Sequence, residues 1–176
     1  CGSGTTGDVC SQMGTKHWQS DLHQGFDATS DEIPVQGDLV FSHPAYYNII
    51  KYSGSMWGEP DSRDLSQIDD YGIFIKKLDD AHYNLFQAVR PGGYMAILVG
   101  DVKRKGLLYP IQKDMRWFGD PIQMIIKLQH NVQSSSKSYG GNFVAIMHEY
   151  LVVTQKPKQF SSAWLLTVRL NQVKEV

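Results

Sequence analysis

The sequence predicts an α/β fold with a mostly parallel central sheet flanked by helices, and three observations lead there. A glycine-rich turn, "CGSGTTGDVCSQMG", opens into a short helix with Gly14 as its stop. Several apolar runs of strand length, each closed by turn residues, are spread along the chain. Between two of them lies one long segment whose apolar residues recur at helical spacing. Turn and helix, strands, helix, and further strands in that order suit a layered α/β domain.

The elements follow in order. "HWQSDL" is a candidate short strand, and "GDLVFS" (37–42) is an apolar run that ends at His43-Pro44. "DSRDLSQIDD" (61–70) reads as a solvated loop and helix start. From about Asp69 to Arg90, Ile73, Leu78, Ala81, Leu85, Phe86 and Val89 fall near helical spacing. "PGGYMAILVGDV" is a turn followed by a buried strand, while "PIQMIIKLQ" and "EYLVVTQKP" are two further strands. "SSSKSYGG" (134–141) is a flexible, polar stretch, and "FSSAWLLTVRLNQVKEV" fits helix or strand equally. The expected division is a main domain over 1–157 and an extension over 158–176.

Composition limits the function classes. The 176 residues suit one domain, with 41% hydrophobic and 20% charged residues. A net charge of −1 gives no global attraction to nucleic acid, though it leaves room for a local basic face. No apolar run approaches the roughly 18 residues of a membrane span. Cys1 and Cys10 form neither a disulfide framework nor a zinc motif, so a reducing, cytoplasmic setting is expected. His17, His23, His82, His130 and His148 show no metal-ligand spacing, and no metal is expected. "KRK" (103–105), Lys127 and Lys137 are candidate phosphate contacts, with a solvated loop the simpler reading of the triplet. Trp57, Trp117 and Trp164 are expected to pack.

In open α/β sheets, ligands sit beyond the carboxyl ends of the strands. "GSGTT" (2–6) lies at such a place, where glycines admit a ligand to the backbone and a helix start offers N–H groups. Asp21, at the expected end of the next strand, is where an acid would meet ribose hydroxyls. No Gly-Lys-Ser/Thr follows, so this is not a P-loop. "SHPAYY" stands at the end of another strand and places His43, Pro44, Tyr46 and Tyr47 on a rim that can hold a flat group.

Together these stretches resemble the amino-directed DNA methyltransferases. "CGSGTTGDV" resembles that family's cofactor motif, and "SHPAY" its catalytic tetrapeptide, in a branch with His in first position. "RPGGYMAILVGDV" and "HEYLVVTQKP" resemble its later strand motifs, so the likeness runs from residue 1 to about 157. It implies a Rossmann-like methyltransferase fold, S-adenosylmethionine as cofactor, and methylation of N6 of adenine or N4 of cytosine in double-stranded DNA with the target base flipped. It also implies a restriction-modification setting. By position, Gly2, Ser3, Gly4, Thr5, Asp21 and Asp27 would line the cofactor, and His43, Pro44, Ala45 and Tyr46 would form the catalytic loop.

The chain departs from the family's pattern at His43, where an acidic or polar residue is usual, and at Ala45, where a second proline is usual. It opens directly on the glycine turn, so the family's first strand is expected to be missing. RNA or a protein amide as acceptor, and a binding remnant without turnover, are the rival readings.

Overall fold

The computed structural model describes residues 2–128 and 145–158. The strands among them are β1 at Gly37–Ser42, β2 at Val89–Val99, β3 at Val102–Arg104, β4 at Leu107–Tyr109, β5 at Asp120–Leu128 and β6 at His148–Gln155. Four of these form one sheet in the order β1-β2-β6-β5. β1 pairs parallel with β2, while β6 pairs antiparallel with both β2 and β5. Thus β1, β2 and β5 all run the same way, and the reversed β6 lies between two of them. The sheet is mostly parallel in strand direction, although only one of its three pairings is a parallel ladder.

Helix α1 spans Thr5–Gln12, helix α2 Tyr71–Gln87 and the short α3 Ile111–Asp114. The Asp70 carboxylate caps α2 by accepting from the Ile73 amide at 2.9 Å. Phe74, Leu78, Ala81, His82 and Phe86 are its buried stripe. Ile73, expected on that stripe, is 55% exposed, and Phe74 takes its place. The stripe covers one sheet face, joining Met95, Ile97 and Val99 of β2 and Val152 of β6 in a single core. On the opposite face Leu39, Phe41, Tyr94 and Ile125 are exposed.

Val89, expected on the helix, opens β2 instead, and three stretches also depart from the sequence reading. Residues 15–20 are irregular, and Leu22–Gln24 form a 3-10 turn, so "HWQSDL" is not a strand. Its polar side chains serve the glycine turn instead, as described below. "KRK" enters a hairpin of β3 paired to β4, and is not a simple solvated loop. In 61–70, Asp64 and Ser66 are buried. The Asp64 carboxylate accepts from the amide and hydroxyl of Ser53 at 2.8 and 2.7 Å and from the Ser66 amide at 2.9 Å, which ties that segment to the one following the His-Pro stretch. The stretches 134–141 and 159–176, with His130, Lys137 and Trp164, lie outside the described residues, as does Cys1.

Candidate active site

At the carboxyl end of β1 the chain leaves the sheet through Ser42 into the loop His43-Pro44-Ala45-Tyr46. Ser42 is anchored from below: its hydroxyl lies 3.2 Å from Nε2 of His82, a fully buried residue of α2. Burial pushes the His82 imidazole down to about 4, so the ring is neutral and suits a hydroxyl partner.

Beyond the loop, Tyr47 holds a left-handed backbone, φ 53°, which is costly for an aromatic residue and needs surroundings that enforce it. Those surroundings are present. The Tyr47 ring sits among Tyr71, Phe74 and Tyr109, with centroids 5.2–5.4 Å away, and its hydroxyl donates to the Asp69 carbonyl. Tyr47 is therefore a core residue, and packing explains it. Asn48, also buried, donates to Asp69 Oδ1 at 2.8 Å and accepts from the Arg104 guanidinium. This contact gives one member of "KRK" a structural role.

Tyr46 turns the other way. Its hydroxyl is 3.0 Å from His43 Nε2 and donates to Glu149 Oε1, also at 3.0 Å. Glu149, on β6, is ion-paired with Lys127 on β5, directly opposite it in the ladder. Lys127, a candidate phosphate contact by sequence, is thus engaged within the sheet. Burial and the neighbouring carboxylate push the Tyr46 phenol well above its ordinary range, so it stays protonated. Gly100, just past β2, lies against the Tyr46 ring: a Cβ there would stand 2.8 Å from Cε2. Sequence reasoning missed Gly100, Glu149 and the place of Lys127 in this row. Only the sheet register brings them to the loop, since Tyr46 and Glu149 are 103 positions apart.

The glycine turn precedes α1. Gly2 and Gly4 adopt φ 53° and 89°, the left-handed region that glycine tolerates. A Cβ at Gly2 would meet nothing within 4 Å, so the turn is open to an approaching ligand. Asp21 Oδ2 accepts from the Gly2 amide at 2.9 Å, and its Oδ1 lies 3.0 Å from His23 Nδ1. Gln19 Oε1 accepts from the Gly7 amide at 3.0 Å. The Ser3 and Thr5 hydroxyls are 3.0 Å apart at the mouth of the turn. Asp27 stands apart from this group, with Oδ1 accepting from the amide and hydroxyl of Thr29 in a local turn. The Tyr52 amide donates to Ser66 Oγ at 3.0 Å. Burial first, then the fields of Asp64 and Asp21, raise its phenol above the ordinary value. The structure therefore brings Gly2, Ser3, Gly4, Thr5 and Asp21 together at the turn, and His43 and Tyr46 together at the loop.

Two crystal structures of a Thermus thermophilus protein, named "Putative DNA Modification Methylase", are similar to this chain in fold. The fold is that of a methylase-type α/β domain. One is 26% identical with a TM-score of 0.50, covering 78% of this chain and 54% of that one. The other, of the selenomethionine derivative, is 24% identical with a TM-score of 0.50, covering 77% and 53%. A third structure, of that protein complexed with S-adenosyl-L-methionine, has a TM-score of 0.49 at 24% identity. The chain thus spans about half the length of the protein it matches. No protein-family model and no curated relative matches it. No helix among the described residues is long and apolar enough to cross a membrane.

Proposed function

We propose that the chain carries the catalytic loop and part of the cofactor site of an S-adenosylmethionine-dependent methyltransferase acting on an exocyclic amine of a DNA base, N6 of adenine or N4 of cytosine. The observation that carries the reading is the loop itself. His43, Pro44 and Tyr46 leave the carboxyl end of β1 in a fixed turn, on a fold shared with a protein named as a DNA modification methylase.

The open turn fits the proposed cofactor. Gly2 admits a ligand to the backbone, and the Asp21 carboxylate beside it, with a side chain 28% exposed, suits a pair of ribose hydroxyls. When bound, S-adenosylmethionine supplies an electrophilic methyl group. The chain's own residues prepare the acceptor. An aromatic amine has its lone pair delocalised into the ring. Hydrogen bonds from its two N–H groups to the Pro44 carbonyl and the His43 imidazole favour a pyramidal nitrogen with a localised lone pair. As the methyl group's bond to sulfur gave way to one with nitrogen, the amine would become cationic and pass a proton to the lone pair of the His43 imidazole or to water, so a neutral imidazole suits the site better than a charged one. The Tyr46 ring offers a face to a base turned out of the duplex, a contact worth ~1–3 kcal/mol against an extrusion cost of a few. Its hydroxyl, tied to Glu149, holds the ring for that purpose.

The test is methyl transfer from labelled S-adenosylmethionine by the intact protein, offered DNA, RNA and protein in parallel. Labelled N6-methyladenine or N4-methylcytosine in the DNA hydrolysate is expected. Label confined to RNA or protein, label on C5 of cytosine, or no transfer at all would overturn the reading.

A further inference from the structure

His43, Tyr46, Glu149 and Lys127 form one hydrogen-bonded row that begins at the loop after β1 and ends on β5. The row constrains its own protons. A carboxylate only accepts, and a phenol carries one proton. The Tyr46 hydroxyl faces Glu149 Oε1 and His43 Nε2 at the same 3.0 Å. With its proton committed to the carboxylate, the phenol oxygen offers His43 only a lone pair. Nε2 must then carry the hydrogen, and in a neutral ring the lone pair falls on Nδ1.

We infer that Glu149, kept as a carboxylate by Lys127, is a positioning residue that acts through Tyr46 to fix the His43 tautomer, with hydrogen on Nε2 and the free acceptor on Nδ1. Burial alone would raise the Glu149 carboxyl, but the hydrogen bonds from Lys127 and Tyr46 outweigh it and hold the group below the usual carboxylate range. His43 Nδ1 has no partner among the described residues, and the residue is exposed. The tautomer is a property of the protein alone; only the use of Nδ1, as the acceptor for a substrate amine, rests on the proposed function. The arrangement matters because the other tautomer would present an N–H to the amine and could not accept from it.

The test is nitrogen NMR of the intact protein carrying labelled histidine, at a pH where His43 is neutral. The His43 signals should show a protonated Nε2 and a pyridine-type Nδ1. Glu149→Gln keeps the shape. Lys127 will draw the amide oxygen to itself and turn the NH2 toward the phenol oxygen, so the Tyr46 proton must swing to His43 Nε2. The expected result is inversion, with hydrogen on Nδ1. Tyr46→Phe removes the row's middle member and should leave a mixture of tautomers. A wild-type ring with hydrogen on Nδ1, a wild-type mixture, or an unchanged tautomer in Glu149→Gln would overturn the inference. Methyl transfer is read separately. A fixed Nε2–H tautomer in a protein that transfers no methyl group supports the inference while removing the functional reading. An active protein with mixed tautomers removes the inference alone.

Discussion

Gly100 leaves no room above its α-carbon because the Tyr46 ring occupies it, with Cε2, Cδ2 and Cζ all within 3.5 Å of where a Cβ would stand. Gly100→Ala should therefore push the ring out of place. The strain belongs to a small overpacking, about 1–3 kcal/mol, and methyl transfer should fall because the stacking face moves. Tyr46→Ala sets the scale: losing ~1–3 kcal/mol of stacking means roughly a fivefold to 150-fold drop. Denaturation midpoints and single-turnover rates of both variants test this. A Gly100→Ala protein as active as the parent would show that the ring's position is not critical.

Acid should switch the site off. Burial is the leading cause of a lowered His43 pKa; the Glu149 carboxylate pulls it up and the Lys127 ammonium pulls it down. Protonation removes the ring's acceptor, so transfer should decline as pH falls through a titration below the ordinary ~6.5. His43→Asp should keep partial activity and lose that limb, because a carboxylate remains an acceptor to about pH 4. His43→Ala should be slower by about a hundredfold or more, with cofactor binding intact. Identical pH–rate profiles for parent and His43→Ala would remove His43 from the mechanism.

Asp21→Ala should weaken S-adenosylmethionine binding. It removes both the carboxylate offered to the ribose and the acceptor that closes the turn onto the Gly2 amide. Hydrogen bonds to a charged group contribute about 1.5–3 kcal/mol, so at least a tenfold rise in Kd is expected by calorimetry. Unaltered affinity would place the ribose elsewhere.

Lys156 is buried, and its ammonium donates to the Phe86 and Gln87 carbonyls at 3.0 and 3.1 Å, closing the C-terminal end of α2. It also lies 5.1 Å from the Phe86 ring centroid. Lys156→Met keeps the bulk and loses the donors. The variant should be destabilised by about 1–3 kcal/mol in urea unfolding, with no change in cofactor affinity.

The open sheet face should make the 176-residue chain self-associate. Among the described residues β1 is an edge strand, and its Leu39 and Phe41 are 62% and 47% exposed beside Tyr94. Unpaired edges and apolar patches of this kind recruit partners. Sedimentation should show concentration-dependent association, relieved by Leu39→Lys with Phe41→Glu. A monomeric parent chain that unfolds cooperatively would contradict this.

The apolar runs of β2 and β6 and the periodicity of α2 were legible because burial imposes a local pattern, whereas β1 and β5 were legible as apolar, β-branched runs although most of their residues are exposed. "HWQSDL" misled because a strand needs a neighbour. Among the described residues this stretch has none, and its Gln19 and Asp21 turn to the amides of Gly7 and Gly2. The segment 61–70 looked solvated because it is rich in charge, yet the Asp64 carboxylate is satisfied by three donors that no composition reveals. In the site, His43 and Tyr46 were readable as neighbours in one short motif. Glu149 and Lys127 were not, because they reach Tyr46 only once β6 has been inserted between β2 and β5.

That insertion gives the site a built-in error check. Consecutive residues of β6 face opposite sides of the sheet: Glu149 pairs with Lys127 in the row to Tyr46, while Tyr150 sits opposite Val99 and beside Asp101. A slip of β6 by one residue would turn Glu149 toward the face that carries the core and turn Val152 out of it. The register that places Glu149 beside Tyr46 is thus the same register that seats Val152 in the core, and neither can be lost without the other.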